Sequence, residues 1–205
     1  MRIGLDFDNT IVGYDSLFHK VAVEGGHVPA NLPVSKTAVR DYLRAAGHES
    51  VWTEMQGYVY GVRMLEAEAY PGVAKFLADA RQAGIVVAIV SHKTRHPFIG
   101  PPHDLHAIAR AWIKRHLSDS SGPLIPADRI FFELTKEEKL TRIGAECFDC
   151  FVDDLPEILT ASAFPTGTVP VLFDPEERSH SEIATIVTGW AEFSSLAVQR
   201  WWRRS

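Results

Sequence analysis

The sequence predicts an α/β fold: a three-layer, doubly wound parallel sheet with a small helical insertion after its first strand. Three observations carry this expectation. Short apolar runs alternate with segments of helical periodicity, the pattern of strand–helix–strand crossovers. The run from Ile85 to Val90 is apolar and β-branched almost without a break, as in a strand covered on both faces. Polar residues suited to holding an anion or a cation gather just past the ends of such runs, where open parallel sheets bind their ligands.

Taken in order, Arg2 to Phe7 reads as a short buried strand ended by polar residues. The next core element is the helix of "PGVAKFLADARQAG", with Val73, Phe76, Leu77 and Ala80 on one face, Pro71 near its start and Gly84 just past its end. It leads into the strand Ile85 to Val90, a Pro/Gly loop, and a helix from about Asp104 to Leu117 that carries Leu105, Ile108, Trp112 and Leu117. "RIFFE" reads as a strand, "TKEEKLTRIGA" as a helix, "CFDCFVDD" as a strand ending in two acids, and "TVPVLFD" as an edge strand. From Ser181 onward the sequence predicts a C-terminal helix with Ile183, Ile186, Val187 and Trp190 buried.

Roughly sixty residues separate the first strand from Pro71, far more than one crossover needs. They hold two helical patterns. In "SKTAVRDYLRAAG", Ser35 is placed as N-cap and Gly47 as terminator; "SVWTEMQGYVYGVRMLEAEA" carries Val51, Trp52, Met55, Val59, Val62 and Leu65. The expected division is therefore a core of residues 1–13 and 70–205 and a helical cap of residues 14–69.

Composition narrows the class of function. A chain of 205 residues with 46% hydrophobic content can bury a sizeable core. The net charge of −5 argues against general nucleic-acid binding. No apolar run reaches membrane-spanning length, and "MRIGLDFDN" puts acid where a signal peptide needs an apolar stretch. Two cysteines make no disulfide framework, so a reducing, cytoplasmic setting is expected. A homodimer is compatible with the sequence and not required by it.

The chemistry gathers at three strand ends. The first carries Asp6, Asp8 and Thr10, the second Ser91 and His92, and the fourth Asp153 and Asp154, while the helix before that strand supplies Lys136 and Lys139. Side chains at i and i+2 of an extended segment point the same way, so Asp6 and Asp8 can face one site. Carboxylates crowded at adjacent strand ends raise one another's pKa unless a cation is present, and Mg²⁺ is the natural hard counter-ion. Lysine and metal together suit an anionic substrate, best a phosphoryl group.

Here the sequence resembles the haloacid dehalogenase superfamily. "DFDNT" matches its DxDxT motif, Ser91 its second motif, Lys139 or Lys136 its third, and "FVDDLPE" the double-Asp form of its fourth. The resemblance covers Met1 to about Phe173 and implies a Rossmann-like core. It implies Asp6 as a nucleophile forming an aspartyl-phosphate and Asp8 as a general acid, then base, kept protonated by the neighbouring carboxylates. Thr10 would support the loop; Ser91, His92 and the lysine would meet the phosphoryl oxygens. Mg²⁺ would be held by Asp6, the backbone carbonyl of Asp8 and one of the Asp pair, Asp154 in preference, with Asp153 acting through water or a hydrogen bond. Dehalogenases lack an acid at the position of Asp8, because halide leaves without a proton. The resemblance therefore points to a capped phosphatase acting on a small phosphorylated metabolite, a sugar phosphate or a nucleotide. The alternatives are a phosphotransferase to a hydroxyl acceptor and a catalytically idle module for protein association.

Other features stay secondary. "SHKTRHPFIGPPHDLH" gathers His92, His96, His103 and His106 with Lys93 and Arg95, which suits either a substrate-contacting loop or a solvated one; a zinc site there lacks a completing ligand set. Cys147 and Cys150 of "CFDC" lie in the expected strand and would point to opposite faces. Tyr14, Asp15, His19 and Lys20 follow the first motif closely enough to form a flap, and "QRWWRRS" could pack or contact a partner.

Overall fold

The computed structural model describes residues 1–177, 183 and 185–200. Its central sheet has six strands: β1 (Arg2–Leu5), β2 (Val86–His92), β3 (Ile130–Glu133), β4 (Cys150–Asp153), β5 (Val169–Phe173) and β6 (Ile186–Val187). All pairings are parallel, in the order β6-β5-β4-β1-β2-β3. The helices are α1 (Asp15–Glu24), α2 (Lys36–Ala45), α3 (Glu49–Tyr58), α4 (Val73–Gln82), α5 (Leu105–His116), α6 (Lys136–Glu146), α7 (Pro156–Leu159) and α8 (Trp190–Arg200). The strand order reverses its direction of growth between β1 and β4. Connections leave these two neighbours toward opposite sides of the sheet, which opens a crevice at their carboxyl ends.

The chain forms two compact units, Met1–Val12 with Ala69–Lys93 and His116–Ser205, and Gly13–Glu68 with Thr94–Arg115. In the first, the register aligns Gly4 with Ala88 on one side and Phe151 on the other. A Cβ on Gly4 would lie 2.4 Å from Phe151 Cδ2 and 2.6 Å from Phe148 Cδ2. The missing side chain is what lets these two rings lie across β1, in a core shared with Val90, Leu140 and Ile143 of the flanking strand and helix. A second cluster brings together Phe76, Phe173, Trp190 and Phe193, with ring centroids 5.1–5.9 Å apart. The Trp190 indole N–H there donates to the carbonyl of Thr10 at 3.0 Å.

The second unit is helical. Tyr14, Phe18, Trp52 and Tyr60 form its aromatic centre, and the Lys36 ammonium lies 5.4–5.7 Å from the Phe18, Tyr60 and Tyr14 rings. Residues 94–115, which lie outside the 14–69 interval expected for the insertion, group with it. The reason is packing: Trp112 of α5 donates its indole N–H to the Ala67 carbonyl at 2.9 Å, and Gly57 and Gly61 leave room for the backbone of Ile99 and the ring of His103.

Several expectations are corrected. α1 was not assigned from the sequence, although Leu17, Phe18, Val21 and Ala22 fall on one helical face and are buried. The helix expected over residues 50–69 ends at Tyr58 and continues as a π-helical turn (Val59–Arg63) and a 3₁₀ turn (Met64–Glu66), which leaves Val62 and Leu65 exposed. β5 is not an edge strand. Ile186 and Val187, expected in the C-terminal helix, pair with Leu172 and Phe173 to form the edge strand β6, and the helix begins only at Trp190. Ser181, the expected start of that helix, lies outside the described residues. Cys147 caps α6 with a left-handed backbone (φ 50°) and is exposed, while Cys150 is buried in β4, so the two do not share a strand. Among the described residues no helix is long and apolar enough to cross a membrane.

Gly4→Ala tests the close approach across β1. The added methyl group has to displace two buried rings, and overpacking of this kind costs about 1–3 kcal/mol. Denaturant unfolding should show a lower midpoint with an unchanged slope.

Candidate active site

β1 delivers Asp6 to the crevice, with its N–H bonded to the Val152 carbonyl at 2.8 Å, so the ladder to β4 continues through the residue that carries the carboxylate. Phe7 is fully buried, edge-on to Phe132 at 5.8 Å, and leaves its two acidic neighbours to the other face. The chain then turns sharply. The Phe7 carbonyl accepts from Ile11 and Val12, Asn9 takes a left-handed backbone (φ 59°), and Asp8 bridges to Val12. Asn is among the few side chains that tolerate this conformation. Thr10 is buried, and its hydroxyl has no hydrogen-bond partner among the described residues.

α6 begins with a capping box. Thr135 accepts from the Glu138 N–H at 3.1 Å, and Glu138 reaches back to the Thr135 N–H at 3.1 Å. Fixing the first turn in this way places the next residue, Lys139, in the interior. Its Nζ lies 2.6 Å from Asp6 Oδ1 and 2.6 Å from Asp153 Oδ2, with all three side chains almost fully buried. The other oxygen of Asp153 accepts from the Leu155 N–H at 3.0 Å. Lys136 points outward to Glu157 at 3.1 Å. The sequence left the two lysines open, and the structure brings only Lys139 to the carboxylates.

Asp6, Asp153 and the half-buried Asp154 can each present an oxygen within 4.8 Å of the others, the only group of this kind among the described residues. Burial, opposed by the Lys139 ammonium and reinforced by Asp153, pushes the Asp6 carboxyl up to about 7. Burial acts to lower the Lys139 ammonium, but the Asp6 and Asp153 carboxylates outweigh it and hold it above the ordinary lysine value. Three carboxylates against one contacting ammonium form an oxygen-rich, cation-poor cluster. That donor set fits a hard divalent cation.

Asp8 does not belong to this trio. Both of its oxygens meet the Lys93 ammonium, at 2.8 and 3.0 Å. The sequence reading surrounded Asp8 with carboxylates; the structure adds a cation, the Lys93 ammonium, as its direct side-chain partner. Lys93 was read from the sequence only as one basic residue of a loop. The usable signal was its place two residues after Ser91, on the side of the chain that Ser91 takes. Ser91 is buried at the carboxyl end of β2. His92 turns away from the carboxylates, and its Nε2 lies 3.1 Å from the Leu134 carbonyl. His96, His103 and His106 belong to the helical unit, where Arg95 pairs with Asp104 and the His96 ring meets the His103 carbonyl. Trp201 and Trp202 of the basic tail lie outside the described residues.

No family model and no curated protein matches the sequence. Solved structures do match in fold. One is a haloacid dehalogenase (HAD) family hydrolase from Deinococcus radiodurans R1, with bound phosphate and sodium: TM-score 0.58, 16% identity, covering 96% of this chain and 94% of that one. Another is described as a dehalogenase: TM-score 0.56, 13% identity, covering 95% and 96%. A third is a predicted phosphoglycolate phosphatase from Haemophilus somnus 129PT: TM-score 0.54, 16% identity, covering 95% and 96%. The chain has the fold of these hydrolases along nearly its whole length.

The raised Asp6 value has a consequence for stability without metal. Between the unfolded value of 3.8 and about 7 the native state holds a proton that the unfolded chain has lost, so stability falls as pH rises through this window. In chelator, the melting temperature should drop from pH 5 to pH 7.5. Asp6→Asn should flatten that slope, and millimolar Mg²⁺ should raise the melting temperature most at the alkaline end. A slope that survives in Asp6→Asn would assign the proton elsewhere.

Proposed function

We propose that the protein is a Mg²⁺-dependent phosphomonoester hydrolase of the haloacid dehalogenase superfamily, acting on a small phosphorylated metabolite through an aspartyl-phosphate at Asp6. The observation that carries this reading is the buried Lys139 ammonium set between Asp6 and Asp153 at the reversal of strand order, beside Asp154. The shared fold, and the phosphate held by the Deinococcus relative, support it.

In this reading Asp6 attacks phosphorus through a carboxylate oxygen while the ester P–O bond breaks. The departing alkoxide takes a proton from Asp8. Asp8, now ionised, takes a proton from water as the water oxygen attacks the aspartyl-phosphate. The acyl–phosphate P–O bond breaks, and inorganic phosphate and the Asp6 carboxylate are restored. Lys139 and the Ser91 hydroxyl neutralise and orient the phosphoryl oxygens. Asp6, Asp153 and Asp154 would hold the metal, whose charge would keep Asp6 ionised and stabilise the phosphoryl group. The acid at position 8 favours a leaving group that needs a proton, hence a phosphate ester over an organic halide. A helical insertion after the first motif goes, in this superfamily, with small substrates that can be shut away from water.

A panel of sugar phosphates, nucleotides and other phosphate esters, assayed with Mg²⁺, should reveal hydrolysis that chelator abolishes. Asp6→Asn should remove it, by at least about a thousandfold in kcat, while the circular dichroism spectrum is retained; wild-type turnover by this variant would sink the mechanism. Asp8→Asn should slow alkyl phosphates far more than activated aryl phosphates, whose leaving groups need little protonation. An equal loss on both would remove Asp8 from the acid role.

A further inference from the structure

The site contains a second buried ammonium, that of Lys93. Its side chain is 5% exposed against 25% for Asp8, and its Nζ holds both Asp8 oxygens, 5.6 Å from the centre of the Phe7 ring. Its backbone is pinned as well: the Lys93 N–H donates to the Glu133 carbonyl at 2.9 Å, extending the β2–β3 pairing one step past the strand. The backbone of Asp8 is fixed by the turn that closes on the Phe7 carbonyl, so the remaining freedom of its carboxyl group lies in the side-chain torsions. An ammonium bound to both oxygens removes that freedom. Lys139 meanwhile contacts Asp6 and Asp153, so the two lysines attend to different carboxylates.

We propose that Lys93 is the positioning residue for Asp8. It holds the carboxyl group in the place from which it can reach the leaving-group oxygen, and it acts through Asp8 rather than on phosphorus. A displacement of about 1 Å in such a group can lower turnover on the order of a hundredfold, so an orienting contact of this kind has a measurable effect. The inference rests on the hydrolase reading for its kinetic test only.

The experiment uses Lys93→Met, Lys93→Arg, Asp8→Asn and the double variant Lys93→Met/Asp8→Asn. With an alkyl phosphate, Lys93→Met should lower kcat about 10- to 100-fold with little change in KM, and with an activated aryl phosphate much less. Lys93→Arg should recover part of the loss. In the Asp8→Asn background, Lys93→Met should cost nothing further, the sign of one residue working through another. A crystal structure of Lys93→Met, or of Lys93→Arg should the Met variant fail to fold, should show the Asp8 side chain in a changed rotamer. Losses that are equal for both leaving groups, or that add in full on Asp8→Asn, overturn the proposal, as does an Asp8 side chain unmoved by the substitution. If the wild type hydrolyses no phosphate ester, the hydrolase reading falls by itself and the Asp8 rotamer alone decides the role of Lys93.

Discussion

The rest of the site depends on one buried ammonium. Lys139 sits between Asp6 and Asp153 at 2.6 Å from each, with all three side chains almost fully buried, where an unpaired charge is costly. Its position ties three elements together: β1 through Asp6, β4 through Asp153 and α6 through its own backbone. A buried ion pair of this kind is weak support for stability, since desolvation offsets much of its Coulomb energy. What it does supply is definition, because strand ends and helix start can meet only in the arrangement that pairs the charges. One contacting ammonium among three acidic side chains also leaves the cluster short of positive charge, a donor set that fits a hard cation.

The sheet topology explains why these residues meet at all. β1 and β4 are neighbours in space but 133 residues separate Asp6 from Lys139, which leads into β4. The reversal of strand order between them keeps the crevice free of crossover connections. Gly4 contributes from below, since its bare backbone lets Phe148 and Phe151 close the core under the strand that carries Asp6. The capping box of α6 then sets the rotation of the helix so that Lys136 goes to solvent and Lys139 inward.

Much of this was legible in the sequence. A β-branched run gave the inner strand β2, and helix punctuation gave α4, because burial on both faces and capping leave local marks. The gathering of Asp6, Asp153 and Asp154 could be expected from their places at strand ends of one parallel sheet. Features set by tertiary partners were hidden. β6 is two residues long and its apolar pair fits a helix equally well until Leu172 and Phe173 are seen beside it. The π-helical turn at Val59–Arg63 shifts the apolar face without any residue that announces it. Lys136 and Lys139 lie one turn apart, so only the rotation of α6 separates them. Lys93 looked like one charge in a basic loop, and its burial against Asp8 depends on a contact spanning 85 residues.

The indole of Trp190 grips the carbonyl of Thr10, 180 residues earlier in the chain. A protein made from its amino end therefore has its first acidic motif in hand long before it has the clasp that holds the following turn. Until Trp190 has left the ribosome and seated itself among Phe76, Phe173 and Phe193, the loop after Asp8 lacks one of its anchors. The turn that follows the first acidic motif is thus completed by a residue made 180 positions later in the chain.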